Sequence, residues 1–237
     1  MDFKTLTLQI INDSSIIENS NEPLTISVFD LLLKGGFMMI PIFILFIMSI
    51  YILFEKIFVL RRESKNIKGF NKEIRDRVVQ GDINGAKLIC QETNTPSSRM
   101  ILKGLSRINR NLKNIEASIE NVGKIEIYNL EKNLSLLATI SGAAPMIGFL
   151  GTVTGMIQAF ISIAQEEGAV SPKLLSSGIY EAMITTASGL FVGIIAYLSY
   201  NYLVAKVEKL VHNMEYSSIE FLDILQEKRW ILNLNTE

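Results

Sequence analysis

The chain has 237 residues, 49% of them hydrophobic, with a formal net charge of −1 and a mean hydropathy of +0.30. That is too apolar for an ordinary soluble domain, and the near-neutral balance gives no reason to expect a nucleic-acid partner. The single cysteine, Cys90, excludes an internal disulfide framework.

Residues 1–36 form a tail ahead of the first long apolar run. From Met1 to Ser20 the polar residues Asp2, Lys4, Asn12, Asp13 and Glu18 interrupt the apolar ones, so the continuous apolar centre of a cleavable signal peptide is missing. The first span is therefore expected to act as its own insertion signal. Between Leu24 and Lys34, the residues Ile26, Phe29, Leu32 and Leu33 share one side, and Ser27-x-x-Asp30 is a helix-start pattern. A short helix lying in the outer interface is expected there, with a plain linker as the alternative.

The first span, residues 37–60, begins with eighteen uncharged residues from Phe37 to Phe54 and reaches Leu60 if Glu55 and Lys56 sit at the interface. Residues 134–164 contain no ionisable group in thirty-one positions, and residues 174–205 contain only Glu181. Both exceed the ~20 residues a helix needs to cross the hydrocarbon, so three transmembrane helices are expected, the last two tilted or projecting beyond the bilayer. The connection at 165–173, with Glu166, Glu167, Gly168 and Pro172, has the composition of a tight turn.

Basic residues orient the spans. Arg61, Arg62, Lys65, Lys68, Lys72, Arg75 and Arg77 follow the first span, whereas the preceding tail has Lys4 and Lys34 against five acids. By the positive-inside rule the N-terminus is expected outside and the C-terminus inside. Residues 61–133 are then a cytoplasmic helical insertion, the turn at 165–173 is periplasmic, and residues 206–237 are a cytoplasmic C-terminal helix. The expected fold class is an all-α membrane protein with three transmembrane helices, in which spans two and three project as long helices into the cytoplasm.

Within the insertion, Gly81-Asp82 marks a turn, and Thr95-Pro96 a helix start with Thr95 as cap. Ile108, Leu112, Ile115, Ile119 and Val122 recur at helical spacing. After a slip near Gly123 the stripe resumes at Ile127, Leu130, Leu134 and Leu137, so span two is expected to begin as one long helix in the insertion. Past span three, Val207, Leu210, Met214, Ser217, Phe221 and Ile224 keep a heptad-like rhythm. The two helices are expected to pack on each other or on neighbouring subunits.

Any chemistry must come from spans two and three. An ionisable group at hydrocarbon depth costs at least ~2.5 kcal/mol on insertion scales, so Glu181 is expected to face protein or water, either exchanging protons or bonding as a neutral structural carboxyl. Gly178, Thr185 and Ser188 surround it at helical spacing, with Thr186 on a neighbouring face. Gly148, Gly151, Thr152 and Gly155 form overlapping small-xxx-small pairs on span two, and Gly189-x-x-x-Gly193 repeats the device on span three. Alone, such stripes mean close helix packing; they are expected to join subunits, so that leucine at Gly151 or Gly155 breaks assembly. Pro145 removes an amide donor and is expected to kink span two. No nucleophile constellation, metal cluster, phosphate cradle or cofactor motif is apparent, with His212 the only histidine, so no enzyme activity, metal or cofactor is expected.

The stretches APMIGFLGTVTGM from Ala144 to Met156 and GIYEAMITTASGL from Gly178 to Leu190 resemble the two signature helices of the MotA/TolQ/ExbB proton-channel family, and among its members the ExbB-type biopolymer transport proteins most. The resemblance extends over nearly the whole chain through span order, topology and the large insertion. It implies a bacterial inner-membrane motor subunit without catalytic activity. The implied assembly is a homopentamer around single-span helices of an ExbD-like partner that carries a membrane aspartate, energising a TonB-like protein. By position, the resemblance makes Thr152 and Thr186 pore-lining and Glu181 the family's span-three glutamate. Thr185 lies about 40° from Glu181 on a helical wheel and Thr186 about 140° away, so the sequence leaves open which threonine faces a pore. A TolQ-like subunit of a Tol-type complex shares these motifs, and a non-conducting scaffold is the rival from another class. A flagellar-type stator usually has a fourth span, for which no apolar block is present.

Overall fold

The computed structural model of the chain describes residues 35–63, 67–165 and 172–234; the side chains of 67, 68, 172–175 and 228–234 lie outside that description. The helix expected at Leu24–Lys34 and most of the turn at 165–173 also lie outside the described residues. The described residues form seven helices in order: α1 Met39–Glu63, α2 Ile67–Gln80, α3 Ile83–Thr93, α4 Pro96–Ser106, α5 Leu112–Glu131, α6 Leu134–Gln165 and α7 Pro172–Leu234. The described residues contain no strand, and the fold is all-α.

Among the described residues, three helical stretches are long and apolar enough to cross a bilayer, built on α1, α6 and α7. The chain is a multi-pass membrane protein. Helix α7 is unbroken over 63 residues, about 95 Å at ~1.5 Å per residue, against ~30 Å of hydrocarbon. Its second half must extend beyond the bilayer, and it does so along the α2–α5 insertion. Val207, Leu210, Met214, Phe221 and Ile224 are all buried in one core with Phe70, Ile74, Leu105, Ile115 and Ile119. Gly104 lets this core close: a Cβ there would meet Phe221 at 2.7 Å and Ile119 at 2.8 Å. The heptad-like stripe of α7 therefore packs against the insertion of its own chain.

Local capping explains where the insertion turns. Gly81, at φ +86°, ends α2, and the Asp82 carboxylate accepts from Gly85 N–H at 2.9 Å to start α3. Thr95 and Ser98 form a reciprocal capping box at the start of α4, with Pro96 in the first turn. Ile108 lies in the turn between α4 and α5, one turn before the helix that its spacing suggested.

One expectation is corrected. The stripe Ile127, Leu130, Leu134, Leu137 does not ride on a single helix, because the chain breaks at Lys132–Asn133, with Asn133 left-handed at φ +68°. The apolar rhythm continues across the break, which hides it in the sequence. Asparagine tolerates this backbone conformation better than most side chains. The end of α1 holds the break in place. Lys56, buried despite its charge, donates from Nζ to the oxygens of Leu130 at 3.0 Å and Asn129 at 3.3 Å, capping the last carbonyls of α5. Lys56 thus serves a helix terminus.

Candidate functional site

Helices α6 and α7 form an antiparallel hairpin whose small residues face each other. A Cβ added at Gly189 would lie 2.6 Å from the Ala144 oxygen and 2.8 Å from the Gly148 Cα, and one at Gly155 would lie 3.0 Å from the Ala182 Cβ. At Gly151 it would meet the Thr185 side chain, and at Gly193 the ring of Pro145. These approaches let backbones pack closely where lipid offers no hydrophobic drive between helices. The stripes join two helices of one chain, which corrects the expectation that they join subunits. Pro145 lies inside α6, and its ring fills the notch that Gly193 leaves on α7.

The threonines divide by face. Thr185 is buried in the hairpin against Gly151, and its Oγ1 shares its hydrogen between the main-chain oxygens of Ala182 at 2.8 Å and Glu181 at 3.2 Å. It is sealed from anything outside the hairpin. Thr152 and Thr186 each stand one residue further along their helices than the touching pair Gly151 and Thr185. In an antiparallel pair, one step toward the C-terminus on each helix turns to the same flank, so Thr152 and Thr186 share a side. Both are half-buried. Thr186 Oγ1 donates across the hairpin to Gly148 O at 2.8 Å, and Thr152 Oγ1 donates within α6 to Phe149 O at 2.6 Å. Phe149, Met183 and Leu190, three or four residues from these threonines, are exposed around them.

Glu181 belongs to the other side. It stands four residues before Thr185 and turns toward α1, where a Cβ on Gly36 would overlap its Oε1. Gly36 has φ +64°, in the left-handed region open to glycine, just ahead of α1. Gly35 likewise approaches Ile184. Glu181 is half-buried and is separated from the Thr152–Thr186 flank by the width of α7. Its neighbour Gly36 is missing from the residues singled out by sequence; the only local signal was the Gly35-Gly36 pair before the first span. No group of three metal-ligating side chains occurs among the described residues.

A profile of the MotA/TolQ/ExbB proton channel family matches residues 92–216, a region that takes in α4, α5, α6 and most of α7. The biopolymer transport protein ExbB of Neisseria meningitidis serogroup A is 29% identical over 203 residues, covering 79% of this chain and 86% of that protein. An ExbB-like biopolymer transport protein of a Synechocystis strain is 29% identical over 178 residues, 74% of this chain and 70% of the relative. The Tol-Pal system protein TolQ of Haemophilus influenzae is 36% identical over 103 residues, 44% of this chain and 45% of that protein. With a match running through more than half of its length and over both helices of the hairpin, the chain belongs to the MotA/TolQ/ExbB proton channel family.

Proposed function

We propose that this chain is the pore-forming subunit of an inner-membrane motor of ExbB–ExbD type, using the proton-motive force to energise a TonB-like protein. In this reading five copies surround the single-span helices of an ExbD-like partner, the N-terminus is periplasmic and the C-terminus cytoplasmic, and Thr152 and Thr186 line the pore.

The observation that carries the reading is the shared flank of Thr152 and Thr186 and the state of their hydroxyls. A hydroxyl has one hydrogen to give and two lone pairs to receive. Both hydrogens are already given to main-chain oxygens, at Phe149 and Gly148. What the flank offers a visitor is therefore acceptor oxygen among apolar side chains. A protonated partner carboxyl can donate to it, whereas an ionised one finds neither donor nor cation and is desolvated. Protonation of the partner's aspartate would thus decide whether it rests against this wall. A proton crossing the membrane contributes ~2.3 kcal/mol per 100 mV, enough to bias such a choice of contact. Glu181 joins the path from the α1 side.

The test is proton uptake by liposomes holding this chain with an ExbD-type partner, read with a pH-sensitive dye under an imposed potential. Partner-dependent uptake that is lost in a Thr152→Val/Thr186→Val variant is expected. Uptake that needs no partner, or that survives the double substitution, overturns the assignment. A TolQ-like role in an envelope complex is the second reading, supported by the 36% identity to a TolQ protein over 103 residues. Restoring Tol-dependent envelope integrity, rather than TonB-dependent uptake, in cells lacking the respective subunit separates the two.

A further inference from the structure

Where α1 ends, it leaves a cleft of about 270 Å³ against α7, lined by Ile57, Leu60, Arg61, Tyr202, Leu203, Lys206, Lys209, Leu210 and Asn213. Three of the nine are cations and none is an acid. Leu60, Leu203 and Leu210 are buried and make an apolar floor, while Arg61, Lys206 and Lys209 stand exposed around the opening. Lys206 lies 5.5 Å from the centre of the Tyr202 ring, which holds its ammonium at the mouth. None of these three cations forms an ion pair among the described residues.

Two apolar runs end at this level together. Arg61 directly follows the apolar end of the first span, and Lys206 directly follows Ala205, the last residue of the third. Residues distant in sequence thus meet at the depth where hydrocarbon gives way to head groups, with an aromatic ring of the kind that favours that layer. The volume is at the small end of ligand sites, suited to a head group rather than a whole lipid. Acyl chains would continue along the exposed Phe58 and Tyr202. Basic pockets between membrane helices bind anionic lipid head groups by this combination of charge and depth.

We propose that the cleft between the end of α1 and the middle of α7, with Arg61, Lys206 and Lys209 around a floor of Leu60, Leu203 and Leu210, holds the phosphate of an anionic phospholipid. The bound lipid ties α1 to α7 beside the Lys56 cap. This site is separate from the proton path and does not depend on that reading.

The experiment uses the full-length protein in mild detergent, mixed with equal amounts of phosphatidylglycerol or phosphatidylcholine and read by native mass spectrometry. Retention of phosphatidylglycerol roughly 10-fold above phosphatidylcholine is expected from several cations at one head group. Arg61→Gln/Lys206→Gln/Lys209→Gln should bring it down to the phosphatidylcholine level, while Lys72→Gln/Lys113→Gln/Lys124→Gln, which removes as much charge elsewhere, should not. If the first triple variant fails to elute as a folded assembly, Lys209→Gln alone, at an exposed position, must still weaken retention. Equal retention of both lipids, or equal loss in both triple variants, overturns the proposal. Displacement of phosphatidylglycerol by millimolar inorganic phosphate overturns the lipid as occupant and leaves a free-anion site.

Discussion

Thr186 donates its hydroxyl hydrogen to the main-chain oxygen of Gly148, 2.8 Å away across the α6–α7 hairpin. A bond between membrane helices of this kind is worth about 0.6 kcal/mol on average. Against a total stability of roughly 5–15 kcal/mol, its loss leaves the fold intact. In the proposed pore, the Thr186 oxygen would therefore matter more for what it can accept than for what it holds together.

Thr186→Ala is accordingly expected to melt within a few degrees of wild type in detergent and to reach normal abundance, yet to lose most energised uptake. Thr186→Ser, which keeps the hydroxyl, should retain uptake. Thr152→Ala should behave as Thr186→Ala does, because both oxygens belong to one flank. Full uptake in both alanine variants would remove the threonines from the pore.

The glycines of the hairpin should rank by what a methyl would meet. At Gly189 the obstacles are the Ala144 oxygen and Gly148 Cα, both main chain, and the helices must separate. Gly189→Ala is expected to cost about 1–3 kcal/mol. Gly155→Ala meets a side-chain methyl at 3.0 Å and should cost less. Gly142 has nothing within 4 Å, so Gly142→Ala should be neutral or stabilising by up to ~1 kcal/mol through helix propensity. Thermal unfolding of the purified protein reads the order directly. Because the contact lies within one chain, Gly151→Leu should lower folded protein as a whole rather than yield intact monomers.

Three spans and their order were legible because long uncharged runs have few other uses. The stripes of Gly148, Gly151, Gly155, Gly189 and Gly193 were legible as packing surfaces, but spacing along one helix cannot name the partner, which proved to be the other arm of the same hairpin. The break at Asn133 was illegible because Leu130 and Leu134 keep the helical interval across it. Lys56 reaches carbonyls 73 and 74 residues away, a pairing that no local pattern encodes. That Thr185 is buried inside the hairpin while Thr186 stands half-buried on its flank needed the hairpin geometry, since both threonines belong to the same motif.

Orientation can be read by cysteine labelling, though not with the native thiol. Cys90 is buried, and burial pushes its pKa up to about 12, so at neutral pH it is neither accessible nor ionised. It should stay unlabelled from both sides and serve as a silent background. A cysteine introduced between residues 166 and 171 should react with an impermeant maleimide added to intact cells, whereas Lys124→Cys, at an exposed site of the insertion, should react only after permeabilisation. The reverse pattern would invert the topology.

Glu181 offers the sharpest test, because its position and its chemistry can be separated. It faces Gly36 on the α1 side of α7, away from Thr186, so a defect at Glu181 need not be a defect of the threonine flank. Glu181→Gln keeps size and hydrogen bonding but cannot ionise, whereas Glu181→Ala removes both. As part of the proton path, Glu181 must exchange protons, and Gln should fail in energised uptake as badly as Ala while the Gln variant keeps normal abundance. Gly36→Ala would force a side chain against the Glu181 carboxyl at a backbone angle that disfavours it, and should reduce abundance by displacing the start of α1. Uptake scored beside abundance distinguishes these outcomes. An active Glu181→Gln variant would make this carboxyl a packing partner of Gly36 and leave the threonines and the partner's aspartate as the path.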